Sequence, residues 1–208
     1  MKARKMSASC VKGSNNMNYN PEKTIVWEAY FFILLGIWIC NIVLNARFTK
    51  KIRDASDRFW SGRWDGLYGI CKNLRGSPLV SLNAMWNPEY KDIQSSLGIM
   101  GASIAYCEGQ ITAFLADLHD LKPDLRMGQK ECMLALYYQS VGDYAQAAVY
   151  YQAYQNAVQK NADVDMLIRF VFSEQNEGTD AACLQCLARK VQNPALRQLF
   201  AANGITAE

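Results

Sequence analysis

A chain of 208 residues is long enough for one folded domain with an appendage, and half of it is apolar, but the apolar residues are unevenly spread. The net charge of +3 hides a division: residues 1–23 hold five basic side chains and one acid, residues 47–53 hold four basics and no acid, and the remainder to residue 208 is mildly acidic. The bulk of the chain therefore lacks the basic face that a nucleic-acid partner needs, and one histidine excludes any site built on two imidazoles.

Residues 1–24 are polar and without periodicity, with Ser-Asn-Asn and Asn-Pro stretches, so a disordered lead-in is expected. Met17 offers a second possible start. Cys10 has no apolar run upstream, so lipid attachment there is not expected. Residues 25–46, IVWEAYFFILLGIWICNIVLNA, contain a single charge, Glu28. At 1.5 Å per residue this run is about 33 Å long, enough to cross a hydrocarbon core of roughly 30 Å. Trp27 and Tyr30 stand at one margin, where interfacial aromatics sit. A cleaved signal peptide and a buried core helix are the rivals. The run is long for a signal sequence, and Arg47 and Lys50-Lys51 follow it rather than a small-x-small cleavage site. A single-pass transmembrane helix is the expectation.

The basic flanks tie if the chain starts at Met1, and the C-terminal side wins if it starts at Met17. Cys71, Cys107, Cys132, Cys183 and Cys186 form an odd set in the soluble part, which suits reduced thiols better than a disulfide framework. Together these favour a cytoplasmic domain.

Residues 47–91 read as a degenerate first hairpin and an inserted segment. Ile52, Ala55 and Phe59 precede Gly62, and Trp64, Leu67, Cys71 and Leu74 follow at helical spacing. Between Gly76 and Pro88, the residues Leu79, Val80, Leu82, Met85 and Trp86 are too apolar for a solvated loop, so a short packed helix is expected.

Residues 92–204 then read as hairpins over about 92–122, 128–158 and 162–191, followed by a final helix in ALRQLFAANG that ends at Gly204. Pro123-Asp124 and Asn161-Ala-Asp163 separate them, with Asp163 a helix-capping candidate. The central hairpin is clearest. Leu134, Ala135 and Tyr138 share one helix face, Gly142 can take the positive φ that ends a helix, and Asp143 can cap the next. Tyr144, Ala147 and Tyr151 form the second face, with Ala147 small where the two axes cross.

This stretch resembles the tetratricopeptide repeat. A shift of 34 residues brings Met100, Leu134 and Ile168 into register, as it does Ile104, Tyr138 and Phe172, and Ala113, Ala147 and Ala181. Gly109 is displaced by one position, Asn176 stands where a glycine would, and Trp64 takes the Tyr144 place in the first hairpin. The resemblance implies an all-α array of three to four hairpins with a capping helix, which covers the last apolar face. It also implies a concave groove lined by first helices: Gln129, Cys132, Leu136 and Gln139 centrally, and Tyr106, Met166, Phe170 and Ser173 from the flanking repeats. Family members that clamp chaperone C-terminal carboxylates use Lys and Asn there, and this chain has neither. A neutral, partly apolar groove suits a helix or an extended apolar peptide, unless the chain's own capping helix or inserted segment fills it.

Chemistry is thinly signalled. His119 lies beside Asp117 and Asp120, as a solvated histidine would. Glu28 is near enough to the end of its run to snorkel. The acidic pairs Asp117/Asp120 and Asp163/Asp165 read as solvated faces. Cys183-Leu-Gln-Cys186 carries a redox spacing, with Asp180 as a plausible cap, but the βαβ context of thioredoxin-like folds is missing, and zinc would need two further ligands. Small residues at helix crossings are the simpler account of both thiols. No catalytic residue, cofactor or metal site is expected. The favoured function is a membrane-anchored adaptor that holds a protein or peptide partner and contacts the bilayer through residues 25–46. A structural assembly subunit and a thiol oxidoreductase are the alternatives.

Overall fold

The structure is a computed structural model that describes residues 21–80, 88–122, 128–173 and 181–206. The expected disorder of residues 1–20, the interfacial placement of the Glu28 side chain, Leu82, Met85 and Trp86 of the inserted segment, the Pro123-Asp124 break, Asn176 and the Asp180 cap lie outside the described residues.

Every regular element among those residues is helical. The helices are α1 (Pro21–Trp60), α2 (Leu67–Arg75), α3 (Pro88–Cys107), α4 (Ile111–Asp120), α5 (Gln129–Ser140), α6 (Tyr144–Gln155), α7 (Ala162–Phe172), α8 (Ala181–Lys190) and α9 (Pro194–Ala202). The chain divides into two units at Arg47/Phe48, and α1 contributes to both. α3 opens at Pro88, four residues before the expected start, because proline is favoured in the first turn, where its missing N–H costs nothing.

In the first unit, α1 carries large apolar side chains on every side. Tyr30, Phe31, Phe32, Leu34, Ile37 and Trp38 are all about 60% exposed. It is a helix long and apolar enough to cross a membrane, with a mean hydropathy of 1.9.

The second unit holds two cores that share one helix. The smaller is built from Phe48, Ala55 and Phe59 of α1, Leu67, Cys71 and Leu74 of α2, Val80, and Leu97, Met100 and Ile104 of α3. The larger takes Ile99, Ala102 and Ala105 from α3 and adds side chains from α4 through α9. α3 is thus buried on both faces from Leu97 to Ala105, which is why its sequence shows little amphipathic contrast.

Antiparallel neighbours pack as hairpins: α3 with α4, α5 with α6, and α7 with α8. The α5–α6 hinge follows the sequence closely. Gly142 has φ +82°, Asp143 accepts from the Gln146 N–H at 3.1 Å, and Ala147 is fully buried. At the start of α7 the cap is Asn161, which accepts from the N–H groups of Asp163 and Val164. Asp163 instead occupies the first turn, where its negative charge meets the positive end of the helix dipole. The register weakens outward: Ala181, the counterpart of Ala147, is exposed at the first residue of α8.

α9 closes the unit by packing on α3 and α5, the first helices of two hairpins. Asn193 caps it, accepting from Ala195 and Leu196 N–H, and its own Nδ2 donates to Ser103 of α3 at 3.0 Å. At the far end, Asn203 Nδ2 donates to the Leu136 carbonyl of α5 at 3.0 Å.

Candidate functional site

Leu136 is fully buried in the core cluster that also holds Leu199 and Phe200 of α9. The expectation that it projects into an open groove is therefore corrected: the chain's own last helix lies there. Phe170 is partly buried against the same cluster, so it too serves packing. Tyr106 is half-buried and tilts against Phe114 with ring centroids 4.9 Å apart. Gln139 is half-buried near the end of α5, Met166 is 51% exposed, and Ser173 is exposed at the end of α7. These positions thus range from fully buried Leu136 to exposed Met166 and Ser173.

Gln129 and Cys132 do share a cavity. It measures about 440 Å³ and lies where α5, the end of α6, the start of α7 and the α8–α9 turn converge. Cys132, Tyr154, Val191 and Leu196 make its apolar side. Gln129, Asn161, Asp163, Lys190, Gln192 and Asn193 supply the polar lining, and Trp60, itself 53% exposed, forms a wall.

Local backbone chemistry positions these groups. Gly128, with φ +65°, caps α5, and a Cβ there would lie 2.9 Å from both the Tyr154 ring and the Ala157 methyl. Only glycine gives that approach, so Tyr154 can lie flush against the start of α5. The Lys130 ammonium is buried and donates to the Leu121 carbonyl, which ties α5 to the end of α4. Lys190 and Asp163 face each other at 3.9 Å across the cavity's polar side. Both are substantially exposed, so the pair contributes little to stability and its groups can turn to a ligand.

The thiol and phenol on the apolar side are held neutral. Burial, then the nearby Asp165 and Glu131 carboxylates, pushes the Cys132 thiol up. Burial, then Cys132 and Asp165, does the same to the Tyr154 hydroxyl, which meets no partner in strict hydrogen-bond geometry although Asp165 interacts with it. A thiol held this way is not a nucleophile near neutral pH. The arrangement can grip an amphipathic group: apolar atoms against Tyr154, Leu196 and Trp60, and polar atoms against Gln129, Lys190 and Asp163.

Elsewhere the side chains differ in several ways from the sequence reading. Cys183 and Cys186 are exposed on α8 rather than packed at helix crossings, because Leu184, Leu187 and Ala188 occupy its buried face. Asp117 and Asp120 are not merely solvated: Arg75 reaches both, at 3.8 and 2.5 Å. Asp165 pairs with Arg169 at 2.9 Å. His119 is exposed, with the Tyr138 and Tyr150 hydroxyls at 3.4 and 3.5 Å from its ring nitrogens. Trp60, Tyr154, Lys190 and Asn193 were not singled out by sequence reasoning. Asn193-Pro194 is the one local signal that could have found a cavity wall, since it marks a capped helix start.

Comparison of the chain with protein-family models, with curated proteins and with solved structures finds no match.

Proposed function

We propose that this chain is a membrane-anchored adaptor of tetratricopeptide-repeat type, with residues 25–46 in the bilayer and the second unit holding a segment of a protein partner. The observation that carries the reading is the 440 Å³ cavity, which joins an apolar side of Tyr154, Leu196 and Cys132 to a polar side of Gln129, Asp163 and Lys190. Such a mixture suits a peptide side chain together with its flanking amides. The neutral thiol and phenol support binding rather than catalysis. A start at Met17 would leave the basic run at 47–53 as the stronger flank and support a cytoplasmic placement of the second unit, as does the odd set of cysteines beyond it.

The test is co-purification of the detergent-solubilised full-length chain from its native membranes, comparing wild type with a Trp60→Ala, Lys190→Glu variant. Both side chains are exposed, so folding should be preserved while recovery of the partner falls at least tenfold. Undiminished recovery would remove the cavity from the reading.

A second reading, a permanently assembled structural subunit, is favoured by α6. Tyr144 and Val149 are 66% and 60% exposed, on a stretch without a charge between Tyr144 and Gln159. A Tyr144→Ser, Val149→Ser variant that loses its partner while the cavity variant keeps it would select this alternative.

A further inference from the structure

Cys183 and Cys186 stand one turn apart on α8, and both are exposed. Free cysteine is among the most buried residue types, and Cys71 and Cys132 follow that rule. Two thiols on the solvent side of one helix, over a buried face made by Leu184, Leu187 and Ala188, have no packing role. Their joint exposure at a spacing of three is therefore a chemical feature.

Geometry decides between the chemistries open to such a pair. Residues three apart on a helix hold their Cβ atoms about 5–6 Å apart. A disulfide needs about 3.5–4.5 Å, so closing one would distort the first turns of α8. A bridging ion needs no such distortion, because two metal–sulfur bonds of about 2.3 Å span up to about 4.6 Å between sulfurs. Among the described residues no third His, Cys, Asp or Glu joins the pair. Zinc takes four ligands, whereas a soft ion such as copper(I) is satisfied by two thiolates.

We propose that Cys183 and Cys186 form a two-thiolate site for copper(I). The two S–H groups lose their protons to solvent and each sulfur donates an electron pair to the ion. Copper stays monovalent, and the loaded site carries one net negative charge. Lys190, four residues beyond Cys186 and seven beyond Cys183, shares their helix face and offsets that charge.

The experiment titrates the full-length chain in detergent with copper(I), under ascorbate and without oxygen, against a chromophoric copper(I) chelator. Wild type should withdraw one equivalent more than Cys183→Ser, Cys186→Ser, and each single Ser variant should lose at least a hundredfold in affinity for that equivalent. Cys132→Ala should keep it. A single variant that competes as well as wild type would show independent thiols and overturn the proposal, as would a wild type that takes up no more than the double variant. Because serine variants could fold differently, a second measurement uses wild type alone: copper(I) must shield the exposed Cys183 and Cys186 from alkylation at neutral pH, and withdrawing the ion with a chelator must restore their reactivity. Alkylation of both at the copper-free rate would equally overturn it.

Discussion

Ala147 has no exposed surface, and it sits in α6 where that helix packs on α5. Three extra carbons there have no free volume to enter, so Ala147→Leu should cost about 1–3 kcal/mol by overpacking. For a domain of this size that is a fall of roughly 3–10 °C in Tm, measurable by thermal unfolding of the detergent-solubilised chain. An unchanged midpoint would contradict the close crossing. Buried thiols give a second expectation. Burial, eased slightly by Arg58, pushes Cys71 up to about 11, and burial with Glu108 pushes Cys107 to about 11. Both folded values lie above the ordinary 9.0, so the folded chain keeps protons that the unfolded chain gives up. The stability this brings is complete below pH 9 and is lost as pH rises through about 11. Unfolding midpoints measured across that range should fall, and Cys71→Ala should flatten part of the slope. What the sequence made legible at this scale was local chemistry. Gly142-Asp143 specifies its own backbone, whereas choosing Asn161 over Asp163 as a cap turns on where the helix begins, and either residue can accept the bonds.

The hairpins were legible as elements because each alternates an apolar face with a breaker: Gly109 and Gly142 take positive φ, and Asn161 and Asn193 cap. Where the last helix lands was not legible. α9 buries Ala195, Leu196, Leu199 and Phe200, but that apolar stripe is satisfied by any complementary face. Its choice of α3 and α5 rests on tertiary pairs such as Asn193–Ser103 and Asn203–Leu136, which lie far apart in the chain. α5 also misleads by pattern, because Lys130 through Leu136 are all buried, with a lysine and a glutamate inside the run. A helix walled in on every side has no amphipathic period from which to read an outward face. Hence Leu136, assigned to a groove by family register, is core. Leu136→Ser should therefore lower the unfolding midpoint by the equivalent of about 2–5 kcal/mol, as large-to-small core changes do, with the added cost of a buried hydroxyl. Met166→Ser, at a position 51% exposed, should lower the midpoint far less. Equal midpoints for Leu136→Ser and wild type would reopen the groove.

At the scale of the whole chain, the unit described from Pro21 to Arg47 and the unit beyond it bury apolar surface very differently. In the second, Phe, Leu and Ile side chains are withdrawn into two cores. In the first, the side chains from Tyr30 to Leu44 are nearly all exposed, among them three aromatics in a row. Burying one large apolar side chain is worth about 1.5–3 kcal/mol, so the eleven exposed from Tyr30 to Leu44 would, left in water, outweigh the whole marginal stability of a domain. A hydrocarbon layer would accept them all round, rather than along one stripe, and the helix is long and apolar enough to cross one. A docking groove in a protein would cover one face and leave the others wet. The helix runs on from this stretch into the basic residues Arg47, Lys50, Lys51 and Arg53, which suit a headgroup region. Expressed full-length and fractionated without detergent, the chain should pellet with membranes and stay there through high salt and alkaline carbonate, which strip proteins held by charge alone. Replacing Phe32, Leu35 and Trp38 with Asp should shift it to the supernatant, since carboxylates near the bilayer centre cost about 2.5–3.5 kcal/mol each. A wild-type chain found in the carbonate supernatant would mean that another protein, not lipid, covers this helix.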